Sequence, residues 1–252
     1  MSPEQQLPPP VSILYSEQHT FHSNVLDQDY VIKVRLPERY SQTAINYPVL
    51  YLLDGDHAFA MATDIVQYLE YYHHIPDIII VSPAYGSKLG PAEGGNNLRD
   101  RDFAPFPTPW SDLPPRGEAY LRFLTEELLP FAEQRYRINS TNRVLWGYSS
   151  SALFALYTVF HATSVFQRFI VLDGFLDQLL DFEARYATQH GDLPVELFVV
   201  SAYYDLTPLV TALEQRAYPH LHLTHIDATD TPHFALPGIW LTKGLMWVFQ
   251  SP

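Results

Sequence analysis

Three consecutive serines, at positions 149 to 151, have the residue type and the setting of a nucleophile. They lie in RVLWGYSSSALFAL, where a short apolar run ends at Gly147 and an apolar helical pattern begins directly after the serines. A catalytic serine on a sharp strand-to-helix turn has this layout, with the pattern G-x-S-x-G. Ser149 is the predicted nucleophile, because Gly147 precedes it by two residues. Ser151 takes the place of the second glycine, and an ordinary polar turn is the alternative interpretation.

A serine hydroxyl becomes a good nucleophile beside a histidine base that a carboxylate holds in place. In folds with this turn the chain order is serine, acid, histidine. His233 is the predicted base, because it lies in a loop between the alternating run 221–226, which predicts the last strand, and the final helix. A histidine of an ordinary surface loop is the alternative.

Asp205 is the predicted acid, because it follows the apolar run near 197–200 at the strand edge where open α/β sheets bind ligands. Asp-Leu-Thr-Pro is also a typical helix start, so Asp205 could serve that purpose alone. Asp227, Asp230 and a serine–histidine pair without an acid remain alternatives.

Attack by a serine on a carbonyl group also needs an oxyanion hole, which is a pair of N–H groups aimed at the developing negative charge. The backbone N–H of Ser150, directly after the nucleophile, is one predicted donor. The second donor is predicted in the loop after the apolar run PVLYLL, where the sequence reads Asp54-Gly55-Asp56.

Buried strands and helices that alternate along the chain would position these residues. Short apolar runs predict strands near 48–53, 78–81, 144–146, 169–172 and 197–200. Helical patterns cover 59–72, 118–136 and 236–249. The alternation predicts an α/β fold with a mainly parallel central sheet and helices on both faces.

Other stretches complete this organisation. Residues 11–17 and 30–36 alternate apolar and polar side chains, which predicts an antiparallel pair at a sheet edge. The proline-rich residues 1–10 are predicted to be a flexible segment, and 11–252 to form one domain. The irregular stretch 85–116 is long enough to favour a functional loop.

Composition disfavours several classes of function. The net charge of −13 disfavours nucleic-acid binding, because phosphates would be repelled. The chain has no cysteine, which excludes disulfides, thiolate metal sites and cysteine nucleophiles. Neither a signal peptide nor an apolar run of membrane-spanning length is found, so we expect a cytoplasmic protein without membrane association.

With these features the chain resembles the putative-esterase branch of the α/β-hydrolases, which includes enterobactin-type siderophore esterases, feruloyl esterases and S-formylglutathione hydrolases. The likeness is carried by YPVLYLLDGDHAF, LRDRDFAP, RVLWGYSSSALFALY and TPHFALPGIW. It implies an α/β-hydrolase fold without a large cap domain, and ester hydrolysis without metal or cofactor. It also implies Ser149, His233 and Asp205 as the triad, with the N–H groups of Asp56 and Ser150 as the oxyanion hole.

The same resemblance leads us to expect the substrate near Arg101, Tyr148, Tyr85 and His57. Arg99 or Arg101 could bind an anionic group of the substrate, and an internal pair of Arg101 with Asp102 is the alternative. Tyr85 could form an aromatic wall or pack the loop, in both cases together with Phe103, Phe106 and Trp110. His57 could line the mouth of the site or lie at the surface.

The sequence therefore predicts a serine carboxylic-ester hydrolase acting on a small-molecule ester. A siderophore trilactone esterase or a thioesterase is the alternative among enzymes, and a catalytically silent binding module of the same fold is the alternative of another class. The segment IVLDGFLDQ departs from the SPSLWW common in relatives, so the substrate does not follow from the resemblance. The oligomeric state stays open.

Overall fold

A computed structural model describes residues 11–86, 98–176 and 178–250 of the chain. The segment 1–10, predicted to be flexible, lies outside the described residues, as does the 87–97 part of the irregular stretch. Eight strands of the described residues form one sheet: β1 (Ser16–Ser23), β2 (Gln28–Arg35), β3 (Tyr47–Leu52), β4 (Ile79–Ala84), β5 (Ile138–Tyr148), β6 (Arg168–Leu172), β7 (Glu196–Ser201) and β8 (His222–Asp227).

The order of the strands across the sheet is β1-β2-β4-β3-β5-β6-β7-β8. β2 pairs antiparallel with both β1 and β4, and all other neighbours are parallel. This confirms the mainly parallel sheet and the antiparallel pair at its edge. The sheet therefore brings the C-terminal ends of β3, β5, β6, β7 and β8 to one common edge.

Helices cover both faces of this sheet. They are α1 (Phe59–Tyr71), α2 (Leu98–Asp102), α3 (Gly117–Arg122), α4 (Leu129–Arg135), α5 (Ser150–His161), α6 (Leu179–Gln189), α7 (Thr207–Arg216) and α8 (Leu236–Gln250). Strand side chains alternate between faces, so Val49 and Tyr51 of β3 pack in the core of α3 to α7, whereas Leu50 and Leu52 pack in the core of α1 and α8. No helix of the described residues has the length and apolar character of a membrane span.

Several elements differ from the prediction: β5 begins at Ile138 rather than near 144, and α2 lies within the stretch that was predicted to be irregular. The first strand begins at Ser16 rather than at position 11, because the turn before Gln28 sets a register that pairs Ser23 with Gln28 and Ser16 with Arg35. The helical stretch predicted over 118–136 contains a π-helical segment, Phe123–Leu128, between α3 and α4. Pro130 follows it, and since proline lacks an N–H and crowds the carbonyl four residues earlier, the wider turn accommodates the ring.

Candidate active site

Ser149 lies on a sharp turn between β5 and α5. Its φ of 59° and ψ of −119° are unfavourable for a residue other than glycine. Gly147 permits the turn, because a Cβ atom there would lie 2.2 Å from the carbonyl oxygen of Ser151. The Ser149 N–H donates to the Leu172 carbonyl at 3.0 Å, which ties the turn to β6. The described residues give the Ser149 hydroxyl no hydrogen-bond partner, so the hydroxyl is available to a substrate.

Two more residues with a positive φ stand at the same edge of the sheet. Asp54 (φ 61°) follows β3 by two residues, and Asp173 (φ 59°) directly follows β6. Because β5 is paired in parallel with both of these strands, the two aspartates flank the turn at Ser149. Strained backbone conformations cluster at functional sites, and this edge is where open α/β sheets bind ligands.

His233 begins a single 3-10 turn, His233–Ala235, just before α8. Its Nδ1 lies 2.5 Å from Oδ2 of Asp173. With the Nδ1 proton donated to that carboxylate, Nε2 is left as the basic nitrogen. The Tyr148 hydroxyl donates to the His233 carbonyl at 3.0 Å, and the centroids of the two rings are 4.8 Å apart. Asp173 and Tyr148 thus hold the histidine from two sides.

The Asp173 carboxylate is fully buried and accepts three backbone hydrogen bonds besides that of His233. The donors, at 2.8–3.0 Å, are the N–H groups of Ala202, Tyr203 and Tyr204. Burial raises the pKa of the Asp173 carboxyl group, but these hydrogen bonds outweigh burial and leave that pKa below its usual value. Asp173 is therefore ionised at neutral pH, as an aspartate that orients a histidine must be.

The prediction that Asp205 holds the histidine is wrong. Asp205 is exposed, four residues beyond the end of β7, and its Oδ1 accepts the Thr207 N–H at 2.9 Å at the start of α7. The backbone after β7 donates to Asp173 instead, so this segment supports the carboxylate that contacts His233 and does not itself supply it.

Asp227, the first alternative acid, accepts the Thr229 N–H at 3.1 Å and is likewise exposed. Asp230, the second alternative acid, is exposed in the turn that precedes His233.

Asp173 was not predicted from the sequence, although the sequence contains a signal for it. Asp173 directly follows a buried strand and precedes a glycine, so it lies closer to its strand end than Asp205 does. The sheet order also places β6 next to β5, so Asp173 is one strand nearer to Ser149.

The N–H groups of Asp56 and Ser150 stay the candidates for the oxyanion hole. Neither N–H has an acceptor within the described parts of the chain. The Asp56 carboxylate accepts the N–H groups of Tyr85 at 2.7 Å and Gly86 at 3.2 Å, which holds the loop after β3 against the end of β4. The loop is therefore fixed by its side chain while its backbone N–H stays open.

A buried network joins that loop to the serine turn. The Ser151 hydroxyl donates to Asp54 Oδ2 at 2.6 Å and accepts the Tyr148 N–H at 2.7 Å. Arg99 of α2 donates to the two Asp54 oxygens at 2.5 and 3.0 Å and to the Tyr148 carbonyl at 3.0 Å. Ser151 thus connects two sides of the site, which the glycine of the usual motif could not do.

We expect Ser151→Gly to weaken this site. The change removes a charge-assisted hydrogen bond to a buried carboxylate, worth about 1.5–3 kcal/mol of stability. With the turn less firmly held, kcat for a simple ester should fall by roughly tenfold, an effect of about 1.4 kcal/mol. Thermal unfolding and steady-state kinetics measure both effects, with Ser164→Gly at an exposed turn as the matched control. A gain in kcat would show that Ser151 hinders the turn.

Arg101 and Tyr85, expected near the substrate, share one buried partner. Arg101 Nε donates to Asp102 Oδ1 at 2.7 Å, which is the internal pair considered as its alternative. The hydroxyl groups of Tyr85 and Tyr30 donate to Asp102 Oδ2 at 3.2 and 2.7 Å. These contacts hold α2 against β2 and the end of β4. Arg101 and Tyr85 therefore have a structural role next to the site.

The aromatic wall differs from the one expected, because Phe103 and Phe106 are buried in the core. Trp110 packs against Phe175, with ring centroids 4.7 Å apart. His57 is exposed, and its N–H donates to the Asp54 carbonyl. The rings around His233, with centroids 4.8–6.2 Å away, are those of Tyr148, Tyr203 and Tyr204.

A cleft with a volume of about 800 Å³ lies elsewhere, lined by residues that include Arg35, Tyr68 and Tyr71. Arg35 ends β2 and pairs with Ile80 at the start of β4. This cleft therefore lies where the parallel strands begin, whereas Ser149 lies where they end. It is separate from the candidate site at Ser149. In the described part of the chain, no group of three or more His, Asp or Glu side chains is arranged to hold a metal ion.

The chain is similar to known proteins over most of its length. A family model described as "Putative esterase" matches residues 23–233. Ferri-bacillibactin esterase BesA of Bacillus subtilis (strain 168) is 32% identical in an alignment of 137 residues that covers 49% of this chain and 46% of that protein. This alignment spans about half the length of the curated relative.

Solved structures share the fold. The IroE-like serine hydrolase from Shewanella oneidensis has a TM-score of 0.79 at 22% identity, covering 93% of this chain and 80% of that one. Siderophore hydrolase EstB from Aspergillus nidulans has a TM-score of 0.81 at 18% identity, covering 97% of each chain. These likenesses confirm the predicted α/β-hydrolase fold. Because the family model covers residues 23–233, the chain belongs to the "Putative esterase" family.

Proposed function

We propose that this protein is a serine hydrolase of carboxylic esters. The observation that carries the proposal is the hydrogen bond from His233 Nδ1 to the buried Asp173 carboxylate, at the same sheet edge as the strained turn of Ser149. Membership of an esterase family supports it. The acid of the triad is Asp173 in this proposal, in place of the Asp205 expected from the sequence.

In the proposed reaction, His233 Nε2 takes the proton of the Ser149 hydroxyl while the serine oxygen attacks the ester carbonyl carbon. Asp173 keeps the imidazole in the required tautomer and stabilises its protonated form. The N–H groups of Ser150 and Asp56 stabilise the negative charge on the carbonyl oxygen. The C–O bond then breaks, His233 returns the proton to the leaving alkoxide, and the alcohol departs. Water, activated by the same histidine, cleaves the acyl-enzyme.

The described contacts do not include a hydrogen bond between the Ser149 hydroxyl and His233. Such bonds between nucleophile and base are often long before substrate binds and tighten in the complex. The orientation of His233 is already fixed through its Nδ1, and in the proposed reaction Nε2 and the hydroxyl come within hydrogen-bonding distance when the substrate binds.

Covalent labelling tests the proposal. A fluorophosphonate probe should phosphonylate folded protein once, and peptide mass spectrometry should place the adduct on Ser149. Heat-denatured protein is the control, because labelling requires the assembled base and oxyanion hole. Folded protein that stays unlabelled and cleaves no ester would favour the alternative of another class, a binding module of this fold.

Siderophore esters are the second candidate substrate. The observation that favours them is that a relative 32% identical is named a ferri-bacillibactin esterase and a structural neighbour is named a siderophore hydrolase. Values of kcat/KM for a cyclic siderophore triester, a simple acyl ester and an acyl thioester would separate the candidates. A siderophore esterase should prefer the first by far, and a thioesterase the last.

A further inference from the structure

The charged side chains around the serine turn bear on the charge of the substrate. We infer that the ester cleaved by this protein carries no negative charge close to its scissile bond. The inference rests on the proposed esterase function of Ser149 and deepens it by naming the charge of the substrate. Its basis is that, among the described residues, the cationic side chains beside the site are already paired with carboxylates of the protein.

Arg99 is held by two acidic side chains. Its guanidinium donates to both oxygens of Asp54 at 2.5 and 3.0 Å, and its Nη1 lies 3.4 Å from Asp100 Oδ1. A further hydrogen bond goes to the carbonyl of Tyr148. Because one positive charge lies between two carboxylates, little of its field remains for an incoming anion.

Arg101 and Lys33 are paired as well. Arg101 Nε lies 2.7 Å from Asp102 Oδ1. Lys33 Nζ donates to the Gly55 carbonyl at 2.9 Å and lies 3.8 Å from Asp56 Oδ1. The Nη2 atom of Arg101 has no hydrogen-bond partner among the described residues, but it is buried. An anionic substrate could contact this buried nitrogen only if the surrounding protein atoms moved aside.

A fourth cation, Arg116, lies further from the turn. Its Nη1 donates to the Leu26 carbonyl, in the turn between β1 and β2. In the sheet, β4 and β3 separate β2 from the strand that leads to Ser149. Arg116 is therefore directed to a different part of the sheet edge.

Acidic side chains, in contrast, lie directly at the reacting groups. Asp173 contacts His233, and Asp100 accepts a hydrogen bond from the Ser150 hydroxyl at 2.8 Å. The Tyr204 ring lies 6.2 Å from that of His233, and its pKa is raised by burial first, then by the neighbouring Tyr203 and by the charges of Asp173 and Asp100. Ionisation next to His233 is thus disfavoured, as a substrate carboxylate at this place would be.

Exposed aromatic side chains lie next to His233. Tyr203, whose ring centroid is 6.0 Å from that of His233, is 76% exposed, and Phe234, the residue after His233, is 84% exposed. Exposed rings offer contact area to an uncharged group and no opposite charge to an anion. The site therefore combines apolar contacts with a negative electrostatic environment.

Three p-nitrophenyl esters of equal acyl length test the inference: neutral adipamate, anionic hydrogen adipate and cationic 5-(trimethylammonio)pentanoate. Each kcat/KM is divided by the rate constant of the same ester with hydroxide, which removes differences in intrinsic reactivity. We expect the neutral ester to exceed the anionic ester by roughly tenfold or more at low salt, and the ratio to shrink as salt screens the charges.

An anionic ester cleaved as fast as the neutral one would overturn the inference and leave the proposed function intact. If none of the three esters reacts, the proposed function fails and the inference fails with it. A preference for the cationic ester over the anionic one supports the inference.

Charge removal at one residue provides a second test. Asp100→Asn keeps an acceptor for the Ser150 hydroxyl and should reduce the neutral-to-anionic ratio several-fold. Because this is a ratio measured on one variant, a general loss of activity cancels. Glu38→Gln is the matched control, since Glu38 is exposed just beyond Arg35 at the opposite sheet edge, and it should leave the ratio unchanged. If Asp100→Asn and Glu38→Gln show the same neutral-to-anionic ratio, Asp100 does not disfavour the anionic ester.

Ferric siderophore triesters extend the test to large substrates. The ferric complex of a tris-catecholate triester is trianionic, whereas that of a tris-hydroxamate triester is neutral. We expect the neutral complex to be cleaved with the higher kcat/KM. Faster cleavage of the trianionic complex would overturn the inference for substrates of this size.

Discussion

Asp173→Asn is expected to lower kcat for a simple ester by about 10⁴-fold, the size of effect seen when the triad aspartate of a serine hydrolase becomes asparagine. The asparagine keeps the shape and can still accept the N–H groups of Ala202 and Tyr204. Its amide NH2 would face Nδ1 of His233, which favours the tautomer with the proton on Nε2. That nitrogen could then no longer accept the proton of Ser149.

Asp205→Asn is the matched control, because it makes the same chemical change after the neighbouring strand. An asparagine at 205 can still accept the Thr207 N–H at the start of α7, so kcat should stay nearly unchanged. Kinetics with p-nitrophenyl butyrate and circular dichroism of both variants measure this. Loss of activity in Asp205→Asn alone would restore Asp205 as the acid. Full activity in both variants would indicate a serine–histidine pair without an acid.

The contrast between Asp173 and Asp205 shows that the local sequence pattern predicts where strands end but not which carboxylate contacts His233. Both follow a buried strand of a parallel sheet, and either could reach a histidine loop at the C-terminal edge. The choice depends on where the chain turns after each strand. Asp173 takes a positive φ and points its carboxylate into the backbone after β7, whereas Asp205 comes late enough to serve α7. The position of Asp173 directly after its strand is a signal in the sequence, but the turn that directs its carboxylate exists only in the folded chain.

Continuous apolar runs in the sequence were sufficient to predict the buried strands of the sheet, because such runs are typical of strands that are covered on both faces. They also placed Ser149 at a strand-to-helix turn and His233 beside the same sheet edge. The function of Ser151 was not predictable, since its partner Asp54 is 97 residues away in the chain. Pairings of this kind depend on the approach of β3 to β5, which exists only in the folded chain.

Ser149→Ala is expected to lower kcat by about 10⁶-fold, whereas Ser150→Ala should cost less than about tenfold. The spacing to Gly147 predicts Ser149 among three adjacent serines, and the structure gives each of the three hydroxyl groups a different environment. The Ser150 hydroxyl donates to Asp100 at 2.8 Å and that of Ser151 to Asp54 at 2.6 Å. Ser150→Ala removes a side-chain hydrogen bond yet keeps the backbone N–H proposed for the oxyanion hole.

The measurement is kcat of both variants with p-nitrophenyl butyrate, together with fluorophosphonate labelling of each. Only Ser149→Ala should lose the label, because the nucleophile must combine a free hydroxyl with the strained turn that exposes it. Labelling that persists in Ser149→Ala and disappears in Ser150→Ala would transfer the nucleophile to Ser150. That result would require the Asp100 carboxylate to act as the base, since the Ser150 hydroxyl is bonded to it. The pair of variants therefore decides between a histidine-based and a carboxylate-based esterase.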